Sequence, residues 1–368
     1  MIPFVDLNAQ RNTIKVELES AMEEVMETSS YIRGPALAQF EAGFAQLIGA
    51  HFAFGVGSGT DALHLAVRAL AIGPGDEVIT VANTWISTAF AASYVGAKVV
   101  FVDVDPDTYQ MDPKCLQAAI TPNTKAVIAV HLYGHPAPMD EIMAICRPRG
   151  IKVIEDVAQS PLAEVGGHQV GTIGDIGCYS FYPSKNLGCY GDGGAVVCND
   201  AALAETLMRL SNYGQSEPFN HQLVGYNSRL DTLQAAILNA KMPHLVKWTN
   251  ARRTVGDWYA EQLEGLPIKC PTEAENAKCV YHLYVVQIDH RDECIEYLRD
   301  HGVMAQIHYP QPIHLQPCYA DLGYGLGDFP VIEAASKRIL SLPIYPELTQ
   351  DQVGVVAETL SAFIHRYS

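Results

Sequence analysis

A chain of 368 residues with 48% hydrophobic and 18% charged side chains has ordinary globular composition, long enough for one large α/β domain and a smaller one. A formal net charge of −17 disfavours nucleic acid and anionic membrane surfaces as partners, because the field of the whole protein repels them. No apolar run approaches the roughly 18 residues of a membrane helix. The opening Met1-Ile2-Pro3-Phe4-Val5-Asp6-Leu7 lacks the basic and then apolar pattern of a secretion signal. The nine cysteines include no Cys-x-x-Cys pair and read as reduced thiols, so the expectation is a cytoplasmic protein.

Apolar positions from Ile14 to Met26 recur at helical spacing. After the Gly34-Pro35 break a second helix is expected over Ala36 to Ile48. Short β-branched runs then alternate with helical segments: Phe52–Val56, Glu77–Val81, Ala97–Val102, Ala126–Val130, Lys152–Glu155, Gly177–Phe181 and Gly194–Cys198. Several runs are continuously apolar, as strands covered by helices on both faces are, which predicts a three-layer α/β/α domain with a mainly parallel sheet. A helical stretch from Asp231 to Arg253 is interrupted by Pro243, and the Pro- and Glu-containing segment Leu266 to Glu275 marks a boundary. A strand over Tyr281–Ile288, a helix over Glu293–His301 and a closing helix from Asp351 fit a smaller C-terminal α+β domain. The division expected is residues 1–250 and 251–368.

Four segments carry chemistry. In Ser180-Phe181-Tyr182-Pro183-Ser184-Lys185-Asn186-Leu187-Gly188, followed by Gly191-Asp192-Gly193-Gly194, a lysine leaves the end of an apolar strand into a glycine-dense turn. Ligands of open α/β sheets lie at the carboxyl ends of strands, and a desolvated lysine there is a nucleophile able to form a Schiff base. A lysine snorkelling from a loop fits this segment equally well. In Lys152 to Ser160 a strand ends in Asp156, with Gln159 three residues on; an aspartate so placed can hold a pyridine nitrogen protonated, or can simply cap a helix. Gly55-Val56-Gly57-Ser58-Gly59-Thr60-Asp61 reads as a strand, a glycine turn and a helix start, the composition of a phosphate site. Its Gly-x-Gly-x-Gly spacing is not the dinucleotide pattern, and no Walker lysine follows. Trp85, after the next strand, can stack on a flat heteroaromatic ring or belong to the core.

Taken in this order, with the opening Pro3-Phe4-Val5-Asp6-Leu7 and the late His308-Tyr309-Pro310-x-Pro312-Ile313-His314, the motifs resemble the DegT/DnrJ/StrS-type sugar aminotransferases over nearly the whole chain. The resemblance implies a pyridoxal-phosphate enzyme of the aspartate aminotransferase fold. Lys185 would carry the cofactor and move the proton, Asp156 would pair with the pyridine nitrogen, and Gln159 would reach the phenolic oxygen. Trp85 would stack on the ring, and Gly59, Thr60 and Ser180 would hold the phosphate. The family pattern also implies a homodimer with shared sites. Within Gly225-Tyr226-Asn227-Ser228-Arg229-Leu230, Asn227 would reach the partner's phosphate and Arg229 its substrate region, while His308, Tyr309 and Tyr31 would face the sugar. Where alanine and then histidine usually follow the aspartate motif, this chain has Ser160-Pro161, a change expected at the floor of the site.

The implied reaction is ping-pong transfer of an amino group from glutamate to a nucleotide-linked keto sugar, a dTDP-3-keto-6-deoxyhexose first. A UDP-linked 3-keto-glucuronate and 4-keto sugars are alternatives. The dehydratase branch, which replaces the lysine with histidine, is disfavoured by Lys185. No metal is expected: His308 and His314 lack the spacing and the nearby ligands of a zinc site.

Overall fold

The computed structural model describes residues 1–367. The first fifty residues form three helices, α1 (Leu7–Thr13), α2 (Lys15–Thr28) and α3 (Pro35–Ile48). Ile14 breaks the first pair by leaving helical geometry, and it buries its side chain beside Leu18, Ile237 and Trp248. Pro35 opens α3, where its missing amide costs nothing, and Gly49 closes it at φ 75°.

The alternation that follows is β1 (Phe52–Val56), α4 (Gly59–Ala69), β2 (Glu77–Val81), α5 (Ser87–Tyr94), β3 (Lys98–Val102), α6 (Pro113–Ala119), β4 (Thr124–Val130), α7 (Met139–Cys146), β5 (Lys152–Asp156), β6 (Ile176–Ser180) and β7 (Gly194–Cys198). The seven strands form one sheet in the order β1-β7-β6-β5-β4-β2-β3. β7 runs antiparallel to both its neighbours, while the other pairings are parallel. β2 and β7 are buried at every position, which explains runs without alternation. This topology brings the carboxyl ends of β2, β4, β5 and β6 to one edge of the sheet. There the first residue of β7, Gly194, pairs with the last of β6, Ser180.

Beyond the sheet come α8 (Ala201–Ser211), α9 (Thr232–Lys241) and α10 (Leu245–Gln262). The expected break at Pro243 is a single 3-10 turn, Met242–His244, between α9 and α10. The expected division at residue 250 falls inside α10, which passes from one hydrophobic core to another: Leu245 packs with the sheet, whereas Val255 and Tyr259 pack with the C-terminal elements. Those elements are β8 (Tyr284–Gln287), α11 (Arg291–Asp300), α12 (Pro330–Ala335), β9 (Ile339–Leu342) and α13 (Gln350–Tyr367), with β8 antiparallel to β9. β8 is shorter than its apolar run. Tyr281 sits at φ 43°, and the carbonyls of Tyr281 and His282 accept from Arg252 rather than from a neighbouring strand. Ile2 belongs to this second core, so the chain's start and end pack together.

Candidate active site

A cavity of about 440 Å³ opens at the carboxyl edge of the sheet. Asp156, the last residue of β5, is buried in its wall. One carboxylate oxygen accepts from Thr88 Oγ1 at 2.8 Å and the other from the Ala158 amide at 3.1 Å. Thr88 lies in the first turn of α5 and is itself within 2.9 Å of Thr84 Oγ1, so the two threonines orient the acid. Burial pushes the Asp156 carboxyl above its ordinary pKa, opposed by the bonds from Thr88 and Ala158 and by Lys185 and His131. A cation on the cavity side would relieve that cost.

Lys185 enters from the irregular stretch between β6 and β7. It is half-buried where it borders the cavity, and burial lowers its ammonium to about 8, opposed by Asp156. Among the described residues its Nζ has neither a hydrogen bond nor an ion pair. A lowered pKa makes the proton easier to shed, and the neutral amine of a lysine is a nucleophile.

Gln159 follows Asp156 by three residues. Its Oε1 accepts from the Tyr133 amide at 2.6 Å, which fixes the amide so that Nε2 faces the cavity and donates to the Tyr309 hydroxyl at 3.2 Å. The Tyr309 ring lies 5.7 Å from that of Trp85, tilted by 45°. Trp85 lines the cavity yet is 58% exposed, an indole face without cover. His308 also lines the cavity; its Nδ1 is 2.9 Å from Ser341 Oγ and its ring stacks on Phe4. Burial and then Lys185 pull its pKa down to about 4, so it is neutral at pH 7.

At the other end of the cavity α4 begins. Ser58 caps the helix by accepting from the Asp61 amide at 3.1 Å, which leaves the Gly59 and Thr60 amides without a protein acceptor. A Cβ on Gly59 would meet Ser180 Cβ at 2.7 Å, so only glycine lets the helix start come this close to the end of β6. Thr60 Oγ1 and Ser87 Oγ lie 2.8 Å apart at the same rim. Free amides at a helix start, beside hydroxyls, have the chemistry of a phosphate-binding site.

The structure therefore gathers Lys185, Asp156, Gln159, Trp85, Gly59, Thr60, Ser180, His308 and Tyr309 around one cavity. Asn227, Arg229 and Tyr31 do not line the cavity of their own chain. Arg229 instead donates to Asn212 Oδ1 at 3.3 Å and lies over the Tyr213 ring, and Asn227 and Tyr31 are exposed. Ser160 does not reach the cavity floor: it is buried, and its hydroxyl donates to the His131 carbonyl at 2.5 Å. Its place in the motif suggested the floor of the site, but its short side chain bonds a backbone acceptor. His314 is apart from His308, buried against Glu333 at 3.1 Å, and among the described residues no group of three metal-binding side chains exists.

Sequence reasoning missed Thr88, His131 and His282, all of them at or beside the cavity. The four-residue step from Thr84 to Thr88 at a helix start was the available signal for Thr88. His282 had none, because it comes from the segment between the two cores, far from the other site residues in the chain.

The residues fit pyridoxal phosphate on physical grounds: a costly buried carboxylate facing the cavity, an unpaired amine, an uncovered indole face and free helix-start amides stand at separate corners of one space. Comparison agrees. A UDP-N-acetyl-3-dehydro-alpha-D-glucosamine 3-aminotransferase of Acidithiobacillus ferrooxidans is 45% identical over 99% of this chain and 98% of its own. A pleiotropic regulatory protein of Geobacillus stearothermophilus is 43% identical over the whole of both chains. The crystal structure of S. venezuelae DesV in complex with a ketimine intermediate superposes with a TM-score of 0.97 at 41% identity, covering 99% of each chain. Residues 12–361 match one family throughout, and the chain belongs to the DegT/DnrJ/EryC1/StrS aminotransferase family.

Proposed function

We propose that this protein transfers an amino group from glutamate to the C3 carbonyl of a nucleotide-linked keto sugar, in two half-reactions at one site. The observation that carries the reading is the convergence of Lys185, Asp156 and Gln159 on a single cavity beside the Gly59–Ser180 cradle. Pyridoxal phosphate, when bound there, supplies the electron sink. Lys185 Nζ removes the proton from the α-carbon of glutamate in the first half and delivers a proton to the sugar's C3 in the second, a task suited to an amine whose pKa lies near 8. Asp156 is held by Thr88 and Ala158 where it keeps a ring nitrogen protonated, and Gln159 Nε2 offers its hydrogen to an oxygen on the ring. Trp85 supplies the stacking face.

A second copy of the chain completes the site. Lys185 is the only lysine or arginine among the described residues lining the cavity, whereas a cofactor phosphate and a nucleotide diphosphate bring several negative charges. Tyr31, Asn227 and Arg229 do not line their own cavity, and Arg229 keeps a buried Nε without an acceptor among the described residues. In a homodimer, Asn227 and Arg229 meet the partner's phosphate and substrate, with Tyr31, His308 and Tyr309 at the sugar. Nine free thiols suit work in the cytoplasm.

The test is amino transfer from glutamate to a dTDP-3-keto-6-deoxyhexose, a UDP-linked 3-keto sugar and a 4-keto counterpart, followed by mass spectrometry. Formation of a 3-amino nucleotide sugar with equimolar 2-oxoglutarate supports the reading. Amination of the 4-keto sugar alone moves the chemistry to C4, and water loss without amino transfer overturns it.

A further inference from the structure

We infer that His282 is a positioning residue for Lys185, acting through Asn186 in one fixed tautomer. The lysine sits on a stretch with neither helix nor strand to hold it, between β6 and β7. Its chain neighbour Asn186 is buried and reaches residues 280–282, a segment lying between the two cores. Asn186 Nδ2 donates to the Val280 carbonyl at 3.1 Å. That carbonyl can only accept, so the orientation of the amide is set and its Oδ1 is the atom facing His282. His282 Nδ1 lies 3.2 Å from Oδ1 and must therefore carry the proton. In a neutral ring this leaves Nε2 with its lone pair, and His282 borders the cavity.

The neutral state is enforced from several sides. His282 is 8% exposed, and burial, Lys185, Arg252 and His308 all oppose a second proton, holding its pKa well below the ordinary value. Its backbone is equally fixed. Arg252 Nη1 donates to the carbonyls of Tyr281, His282 and Ile344 at 3.2, 3.4 and 3.1 Å. The amides of Val280 and Leu283 donate to Gly134 and Tyr133 on the sheet side at 2.9 and 3.1 Å. A rigid seam between the two cores thus ends in one hydrogen bond to the residue after Lys185. A neutral donor at Nδ1 holds Asn186 without adding a positive charge beside an amine that must shed its proton.

The inference rests on Lys185 being the cofactor-bearing residue, so its test has one arm that does not. Histidine ¹⁵N NMR of the protein without cofactor should show His282 with Nδ1 protonated and Nε2 bare at pH 7. An Nε2-protonated or a charged ring overturns the proposal whatever Lys185 does. With cofactor bound, His282→Phe should slow the glutamate half-reaction by about 10- to 100-fold, whereas His282→Asn, whose amide hydrogen can replace Nδ1–H, should stay within about threefold of wild type. Wild-type rates in His282→Phe, or equal losses in both variants, overturn it. Asn186→Asp puts a carboxylate against the ring, so His282 should take up a second proton and the acid limb of the half-reaction should move up by roughly one pH unit. An unmoved profile counts against the inference. If instead Lys185→Ala keeps the cofactor-dependent half-reaction, the Lys185 reading has failed and the tautomer result stands by itself.

Discussion

Glu155 and Asp156 end the same strand, both buried and both carboxylates, yet they have opposite surroundings. Glu155 faces the framework behind the site and is filled with donors: the amides of Gly171, Ile173 and Gly174 at 2.7, 2.8 and 2.6 Å, and His131 Nε2 at 3.0 Å. The Ala137 amide donates to His131 Nδ1 at 2.9 Å, so the proton is on Nε2 and His131 donates to Glu155. Asp156 has one donor per oxygen and borders the cavity. The lysines repeat the contrast. Burial lowers both Lys185 and Lys241 to about 8, but Lys241 donates to the Gly188 carbonyl at 2.6 Å and lies over the Tyr190 ring, while among the described residues Lys185 Nζ has no hydrogen-bond partner. Burial and a shifted pKa do not separate structural from chemical groups in this fold. Unspent hydrogen-bonding capacity facing a cavity does.

Removing each lysine has the largest expected effect. Lys185→Ala should abolish the lysine-linked absorbance of the cofactor and cut amino transfer by roughly 10³-fold or more, since nucleophile and proton carrier go together. Lys241→Met should keep the absorbance and lose about 1–3 kcal/mol of stability, the cost of leaving the Gly188 carbonyl buried and unpaired. Equal damage to the chemistry from both changes would end the distinction. The carboxylates come next. Asp156→Asn should retain the fold and lower the half-reaction rate by roughly 10²- to 10⁴-fold, through loss of the charge opposite the ring nitrogen. Glu155→Gln should do the reverse. Either orientation of the amide sets its NH₂ against two existing donors, so denaturant unfolding should report a loss of about 3–5 kcal/mol.

The same contrast explains what the sequence disclosed. Short β-branched runs located all seven sheet strands to within a residue or two, and most clearly where a strand is shielded on both faces and its run is continuous. Asp156, Gln159 and Lys185 were legible because each sits at a strand end or in the turn after it, where local order dictates placement. Ser160 was misplaced for want of the same information: nothing local says whether a side chain turns into the cavity or toward the His131 carbonyl. His282 and the donors to Glu155 depend on contacts between segments far apart in the chain, and one-dimensional spacing carries no trace of them.

The smallest effect concerns the protein without its cofactor. Lys185 titrates near 8 in the folded chain against an ordinary value of 10.5, so the unfolded chain binds its proton more tightly. Below pH 8 the lysine is charged in both states and its full cost falls on the folded one; between 8 and 10.5 the folded amine is already neutral and the cost shrinks; above 10.5 it is gone. The gap corresponds to roughly 3 kcal/mol, and water in the cavity reduces what is realised to about 1–2 kcal/mol. Lys185→Met should therefore stabilise the cofactor-free protein at pH 7 by that amount, with the advantage fading as the pH rises through this window. Thermal unfolding of both proteins across the range checks it. A Lys185→Met protein no more stable than wild type at pH 7 would mean that the amine is solvated and carries no stored cost. A difference that persists undiminished above pH 10.5 would trace the gain to methionine packing and not to the buried charge. The proposed trade is that stability is given up at Lys185 to keep an amine unpaired, and this measurement isolates it from the chemistry that the amine performs.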